Sequence, residues 1–368
     1  MERTVNPRLE IDLNVIEENT KYIVEKAKSR NAEIWGVTKG LGALPEVAFA
    51  MLRGGVAGIA DSRLQNLKRL RSAGLSCPLL MLRIPMPGEV SELIRLADVS
   101  LNSEVSTIRL ISAAVSSTGP GRSHHTHGIF LMVDIGDLRE GIWPEDLATI
   151  ASAVRELKGI AVQGIATNLG CFGGVLPCHE NMSLLCELAE IVEREADIPV
   201  THISAGGTVT LPLLFEGRLP SRLDHFRIGE GILLGTAPSK RGSVPLPGAR
   251  QDGVTVYAEV VEIKEKPSIP LGDRGPDAFG RIPEFLDKGT RKRAVLAIGR
   301  QDVEPEGLRP LLPGAEILGA SSDHMILDVS DCDERVAVGD VIAFRPSYAA
   351  MLRAATSEYV TKVVHPAT

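Results

Sequence analysis

Aromatic residues are scarce: Phe, Trp and Tyr make up 4% of the 368 residues, against a hydrophobic fraction of 44%. A core with so few rings has to be packed from Val, Ile, Leu, Ala and Gly. No apolar stretch approaches the ~20 residues that span a bilayer as a helix, so a membrane is not an expected partner. Met1-Glu2-Arg3-Thr4 opens without a signal-peptide apolar region. Five cysteines (77, 171, 178, 186 and 332) form no Cys-x-x-Cys pair and are odd in number. Reduced thiols in a cytoplasmic protein are the expectation. A basic stripe is missing too: 40 Lys and Arg against 47 Asp and Glu leave a formal charge of −7, which argues against nucleic acid as a partner. The basic run Lys288-Gly289-Thr290-Arg291-Lys292-Arg293 leads into an apolar segment and reads as a solvated turn. A Gly-x-Gly-x-x-Gly turn is also lacking, which removes the main support for a doubly wound open sheet.

What the chain does have is alternation. Eight short apolar runs, 34–38, 55–60, 78–83, 98–101, 128–135, 161–166, 200–204 and 225–229, are mostly separated by segments of helical period such as Pro45–Gly54, Glu104–Ser116 and His179–Ala196. Strand and helix in alternation call for a parallel sheet, and eight units call for a closed (β/α)8 TIM-like barrel over 14–240. Beyond residue 250 the pattern changes. Val254–Lys264, Ala294–Gly299, Glu316–Leu318, His324–Val329 and Val341–Phe344 read as strands joined by Pro- and Gly-rich turns. Residues 241–368 are therefore a C-terminal mainly-β domain, and Arg8–Leu13, which alternates like a strand, is assigned with it as 1–13. Residues 265–285 read as a long excursion.

Chemistry is expected at the carboxyl ends of the barrel strands. Lys39 ends the first run, and a partly desolvated amine there suits Schiff-base chemistry with a carbonyl or with pyridoxal 5'-phosphate. Later strand ends supply Asp134–Gly141 with Arg139, Thr167-Asn168-Leu169-Gly170-Cys171, Ser204-Ala205-Gly206-Gly207-Thr208 and Arg227-Ile228-Gly229-Glu230-Gly231. Gly207 with the Thr208 hydroxyl, and Gly229 with Glu230, are short turns whose N–H groups can approach a phosphate. Arg227 is the most specific signal. A guanidinium facing a pyridine nitrogen keeps that ring unprotonated, which favours return of a proton to Cα over transamination.

On Trp35–Gly40, Asp137–Pro144, Arg227–Glu230, Ala297–Val303 and Ser321–His324, the chain resembles the alanine racemase family of fold-type III pyridoxal-phosphate enzymes, nearest the ornithine racemase branch. The resemblance implies racemisation of a free small or basic amino acid, ornithine-like first, with Lys39 as the Schiff-base lysine and Arg227 facing the pyridine nitrogen. It places Arg139 near the cofactor's phenolic oxygen and the substrate carboxylate and Tyr348 on the phosphate, and Asp323 falls in one of its matching motifs. It also implies a head-to-tail homodimer with sites at the interface, each β domain capping the partner's barrel.

The chain departs from the family in three places. Arg300 follows Gly299 where alanine racemase has its second-base tyrosine, so the opposite-face proton is left to Cys171, Asp302, Arg300 or His324. Ala43 replaces a tyrosine, and Gly206-Gly207-Thr208-Val209 stands where the ornithine branch reads Gly-Gly-Asn-Ser. A metal-dependent lyase of the D-threonine aldolase or D-serine dehydratase type is the alternative; its His-x-Cys ligands would fall at Tyr348 and Ala350, so no metal is expected. A non-catalytic pyridoxal-phosphate carrier is disfavoured because such proteins are usually bare barrels. His124, His125 and His127 read as a solvated loop, and His202 as a satisfied core histidine.

Overall fold

The structure, a computed structural model, describes residues 5–117 and 126–366; His124 and His125 lie outside the described residues. The chain divides into two compact units, Asn14–Gln251 and the combination of Met1–Leu13 with Asp252–Thr368. The chain begins with β1 (Arg8–Asp12), which belongs to the second unit, and α1 (Leu13–Lys28). The larger unit then runs β2 (Glu33–Val37), α2 (Pro45–Arg53), β3 (Gly58–Asp61), α3 (Leu64–Ser72), β4 (Leu79–Met81), α4 (Val90–Leu96) and β5 (Val99–Asn102). It continues with α5 (Val105–Ser117), β6 (His127–Met132), α6 (Leu147–Arg155), β7 (Ile160–Ala166), α7 (His179–Ala196), β8 (His202–Ser204), α8 (Leu211–Glu216), β9 (His225–Ile228) and α9 (Glu230–Leu234). Strands β2 to β9 pair in parallel and β9 closes on β2, making the barrel. Each of the eight expected runs supplies one strand.

Continuous apolar strands suit this position because both faces of a barrel strand are covered. The surrounding helices bury one stripe each; α7 buries Met182, Leu185, Leu188, Ala189, Val192 and Ala196. Inside the barrel, Trp35, Val37, Ala60, Leu80, Val99, Leu101, Phe130, Met132 and Ala166 form one cluster. Polar side chains share that interior, and some bond to each other: Ser100 Oγ lies 2.9 Å from His127 Nε2 and accepts from Asn102 Nδ2 at 2.9 Å. At Gly164 of β7 an added Cβ would lie 1.8 Å from the His202 carbonyl oxygen of β8.

The hairpin β10 (Thr236–Ser239) and β11 (Gly242–Pro245) stays with the barrel, so the boundary falls at Gln251/Asp252 rather than at 240/241. Leu246 N–H donates to Gly235 O at 2.8 Å, and Asn19 of α1 exchanges two hydrogen bonds with the Arg250 backbone at 2.7 and 2.8 Å. Those bonds tie the segment after the hairpin to the larger unit.

The smaller unit holds β12 (Val254–Pro267), β13 (Thr290–Leu296), β14 (Leu308–Pro310), β15 (Glu316–Ala320), β16 (Met325–Asp328), β17 (Val341–Pro346), α10 (Tyr348–Thr356) and β18 (Thr361–His365). Its sheet runs β14-β17-β12-β13-β16-β15, and β1 lies between β12 and β18. Strands β14 and β18 and helix α10 escaped the sequence reading. The basic run expected as a turn is already strand from Thr290, with Arg291 paired to Asp328 at 2.7 Å and Lys288 to Glu316 at 2.6 Å. Among the described residues no helix is long and apolar enough to cross a membrane.

Candidate active site

The path out of β2 is fixed before Lys39 is reached. Thr38 N–H donates to Ala60 O at 3.1 Å, and Thr38 Oγ1 donates to Asp61 Oδ2 at 2.8 Å. Asp61, fully buried, also accepts from Asn66 Nδ2 at 2.9 Å and from Arg63 N–H at 3.1 Å. Lys39 then opens a single 3-10 turn that ends at Gly42 with φ of 61°. Burial lowers the Lys39 pKa; Arg139 pushes the same way, while Cys171, Asp61 and Glu140 oppose. An amine with a lowered pKa is available as nucleophile and base nearer neutral pH.

Apart from Asp61, the groups acting on Lys39 come from the loops after β6 and β7. Asp134 Oδ1 accepts from Gly136 and Leu138 N–H at 2.8 and 3.2 Å, folding the loop that carries Arg139 and Glu140, which pair with each other. Asp137 accepts from Phe172 and Val175 N–H at 2.9 and 3.2 Å, binding this loop to the next one. There Asn168 Nδ2 donates to Cys171 Sγ at 2.9 Å. An amine, a guanidinium and a thiol thus share one electrostatic neighbourhood.

Arg227 is buried, 5% exposed. Its Nη2 donates to Thr167 O at 2.7 Å and its Nη1 to Ser204 Oγ. Burial pushes the guanidinium down to about 10, with Glu140 and Cys171 opposing, so it remains charged at neutral pH. The two glycine turns are joined: Gly231 N–H donates to Thr208 Oγ1 at 3.1 Å. Gly206 takes φ of 95°, and Gly207 and Gly229 each precede a short helical turn. First-turn N–H groups have no acceptor within their own helix. The Glu230 carboxylate accepts from Thr236 and Ser243 at 3.0 and 2.5 Å, so it braces the β10–β11 hairpin and leaves only its N–H for an anion.

Arg300, Asp302, Asp323 and Tyr348 belong to the smaller unit. Arg300 donates from Nη1 and Nη2 to Glu306 at 3.0 and 2.5 Å. Glu306 raises its pKa, which works against Arg300 as a base. Asp302 is buried and accepts from Ser357 Oγ at 2.8 Å; Asp323 and His324 are exposed; Tyr348 opens α10, capped by Ser347. His127 is no solvated loop residue. It begins β6, is buried, and its pKa is pushed down to about 4 by that burial. His202 is half-buried, bonded to Asp224 at 2.9 Å, and that carboxylate raises its pKa.

Sequence reasoning passed over Thr38, Asp61 and His225. His225 and Arg227 alternate on β9, so period-2 reading of that strand could have placed both inside the barrel. Among the described residues no group of three or more His, Cys, Asp or Glu is arranged to hold a metal ion. The donor set does fit pyridoxal 5'-phosphate: a desolvated amine for the aldehyde, a buried guanidinium for the ring nitrogen and two linked glycine turns for the phosphate.

A family model described as alanine racemase, N-terminal domain, matches residues 11–238. The chain is 38% identical to an ornithine racemase from Acetoanaerobium sticklandii over 97% of its own length and 99% of that protein. It is equally 38% identical to a lysine racemase from Thermotoga maritima, over 98% of this chain and 99% of that one. Among solved structures, an alanine racemase from a D-cycloserine-producing Streptomyces lavendulae superposes with a TM-score of 0.76 at 19% identity, covering 99% of both chains. With a barrel that closes, a desolvated strand-end lysine and full-length likeness to two racemases, the chain belongs to the alanine racemase family.

Proposed function

We propose that this protein binds pyridoxal 5'-phosphate and racemises a free basic amino acid, ornithine or lysine. The observation that carries the reading is the desolvated Lys39 amine at the mouth of the barrel that also buries Arg227. Full-length likeness to an ornithine and a lysine racemase supports the substrate class. Pyridoxal phosphate, when bound, supplies the electron sink that makes an amino acid's Cα proton removable.

The chain supplies the rest. Lys39 holds the cofactor and moves the proton on one face of Cα; Arg227 donates an N–H to the ring nitrogen and keeps it unprotonated. The Gly207-Thr208 and Gly229-Glu230 turns, with Asn168 and Tyr348, hold the cofactor's phosphate and ring. Arg139 binds the substrate carboxylate, its charge steadied by Glu140. We assign Cys171 to the opposite face of Cα, because it is the one remaining candidate in the same unit as Lys39 and acts on it electrostatically. Asp302 and Asp323 are assigned supporting roles at the mouth of a partner's barrel. We also propose a homodimer with sites at its interface, the smaller unit of one chain capping the barrel of the other.

The test is a panel of L- and D-amino acids in deuterium oxide, with Cα exchange followed by NMR alongside product chirality. Ornithine and lysine should exchange with inversion, and borohydride should fix the cofactor label on Lys39. Release of an aldehyde or of ammonia in place of the enantiomer would move the chain to the lyase class. No exchange with any amino acid would make it a carrier.

A further inference from the structure

We propose that Ser204 and His225 are positioning residues that hold the Arg227 guanidinium inside the barrel through a hydrogen-bond chain. The inference rests on the reading of Arg227 as the partner of the cofactor's ring nitrogen.

The direction of the first link in that hydrogen-bond chain follows from counting donors. A guanidinium has five N–H donors and accepts nothing. Since Arg227 Nη1 contacts Ser204 Oγ, that oxygen must accept there. Ser204 keeps its one proton and a second lone pair, and the proton is assigned to its other neighbour, His225 Nδ1, at 2.7 Å. In that arrangement His225 Nδ1 is an unprotonated acceptor, and the ring proton resides on Nε2. The imidazole is therefore neutral. Its surroundings agree: burial, Arg227 and His202 all drive its pKa well below the usual histidine value.

The chain stops at His225. Its Nε2 is buried with no hydrogen-bond partner among the described residues. The nearest acid, Glu33, lies 3.9 Å away and already accepts from Trp35 Nε1 at 2.8 Å. The ring plane is pinned by packing, with Phe130 5.0 Å and Trp35 5.5 Å away between centroids. A hydroxyl that donates to Nδ1 becomes a stronger acceptor for the guanidinium. Thr167 O takes Nη2 at 2.7 Å, so both terminal nitrogens are anchored and the guanidinium plane has one orientation. Loss of either Ser204 or His225 leaves a buried cation short of an acceptor or with a weakened one, and such a group moves or draws in solvent. A displaced Arg227 no longer keeps the ring nitrogen unprotonated. Keto-acid release, the mark of transamination, then rises against racemisation.

The experiment compares wild type with Ser204→Ala, His225→Leu, His225→Asn and Arg227→Glu, all loaded with cofactor. Three quantities are read: keto acid released per racemisation turnover, the visible absorption of the resting protein, and the melting temperature without cofactor. Ser204→Ala and His225→Leu should raise the keto-acid ratio about tenfold, the size expected for one lost hydrogen bond to a charged group, and should shift the absorption band. His225→Asn should restore the wild-type ratio, because its Oδ1 accepts where Nδ1 did. If His225→Leu does not fold, Ser204→Ala decides. A wild-type ratio and spectrum in Ser204→Ala, even with a lower melting temperature, would overturn the proposal while Arg227→Glu still raises the ratio. If Arg227→Glu leaves the ratio unmoved, the reading of Arg227 fails first and the positioning role falls with it.

Discussion

At the scale of single residues, the site is a set of charges that burial has been allowed to unbalance. Lys39 lies near Arg139 and Cys171, and its lowered pKa reflects desolvation before any neighbour is counted. The assignment of Cys171 to the second face has a sharp consequence. Cys171→Ser should lower racemisation by about a hundredfold or more, the usual cost of a lost acid–base group. Cα exchange with retention, through Lys39, should persist from one enantiomer. Racemisation at the wild-type rate in Cys171→Ser would return the second face to a residue of the smaller unit. Lys39, Arg139 and Arg227 stand out as candidates in sequence because a charge within or just beyond an apolar run is conspicuous. His225 and Ser204 do not, since an imidazole and a hydroxyl within short strands look like ordinary core, and their contact spans 21 positions.

At the scale of elements, legibility followed burial. The eight barrel strands are covered on both faces, so each falls in a short, mostly apolar run. Strands β14 and β18 gave no such signal: one has three residues ending in Pro310, and the other, Thr361–His365, finds its partner at Arg8–Asp12. Helix α10 was hidden because its nine residues begin only one residue after Pro346 of a strand. One glycine shows how narrow the tolerance is where β7 meets β8. A methyl at Gly164 would sit 1.8 Å from the His202 carbonyl oxygen, a backbone atom that cannot swing away. Gly164→Ala should therefore destabilise the protein by about 4 kcal/mol or more, among the largest single-substitution effects. Thermal or urea unfolding reads this directly, and an unchanged midpoint would show that the two strands can separate at low cost.

At the scale of the whole molecule, the proposed dimer has a physical motive. Leu138, Trp143 and Phe172 stand on the loops that follow β6 and β7, 65%, 49% and 74% exposed. Large apolar side chains so uncovered beside a site mark a surface that something else covers. Sedimentation should therefore give a dimer at micromolar concentration, and Trp143→Lys should weaken it and racemisation together. A monomer with full activity at nanomolar concentration would end the proposal. The smaller unit carries a different consequence, set by where its first strand is encoded. Strand β1, with Leu9 and Ile11 fully buried, sits between β12 and β18. It leaves the ribosome before any of the barrel and cannot be placed until residues 254 onward, and finally 361–365, have followed. The larger unit, complete within Asn14–Gln251, has all it needs much earlier. Because the entropy of closing a loop grows only slowly with its length, so long a wait costs little in stability. It imposes an order of events instead: the apolar face of β1 stays uncovered throughout synthesis of the barrel, and the sheet that receives it is the last part of the molecule to close.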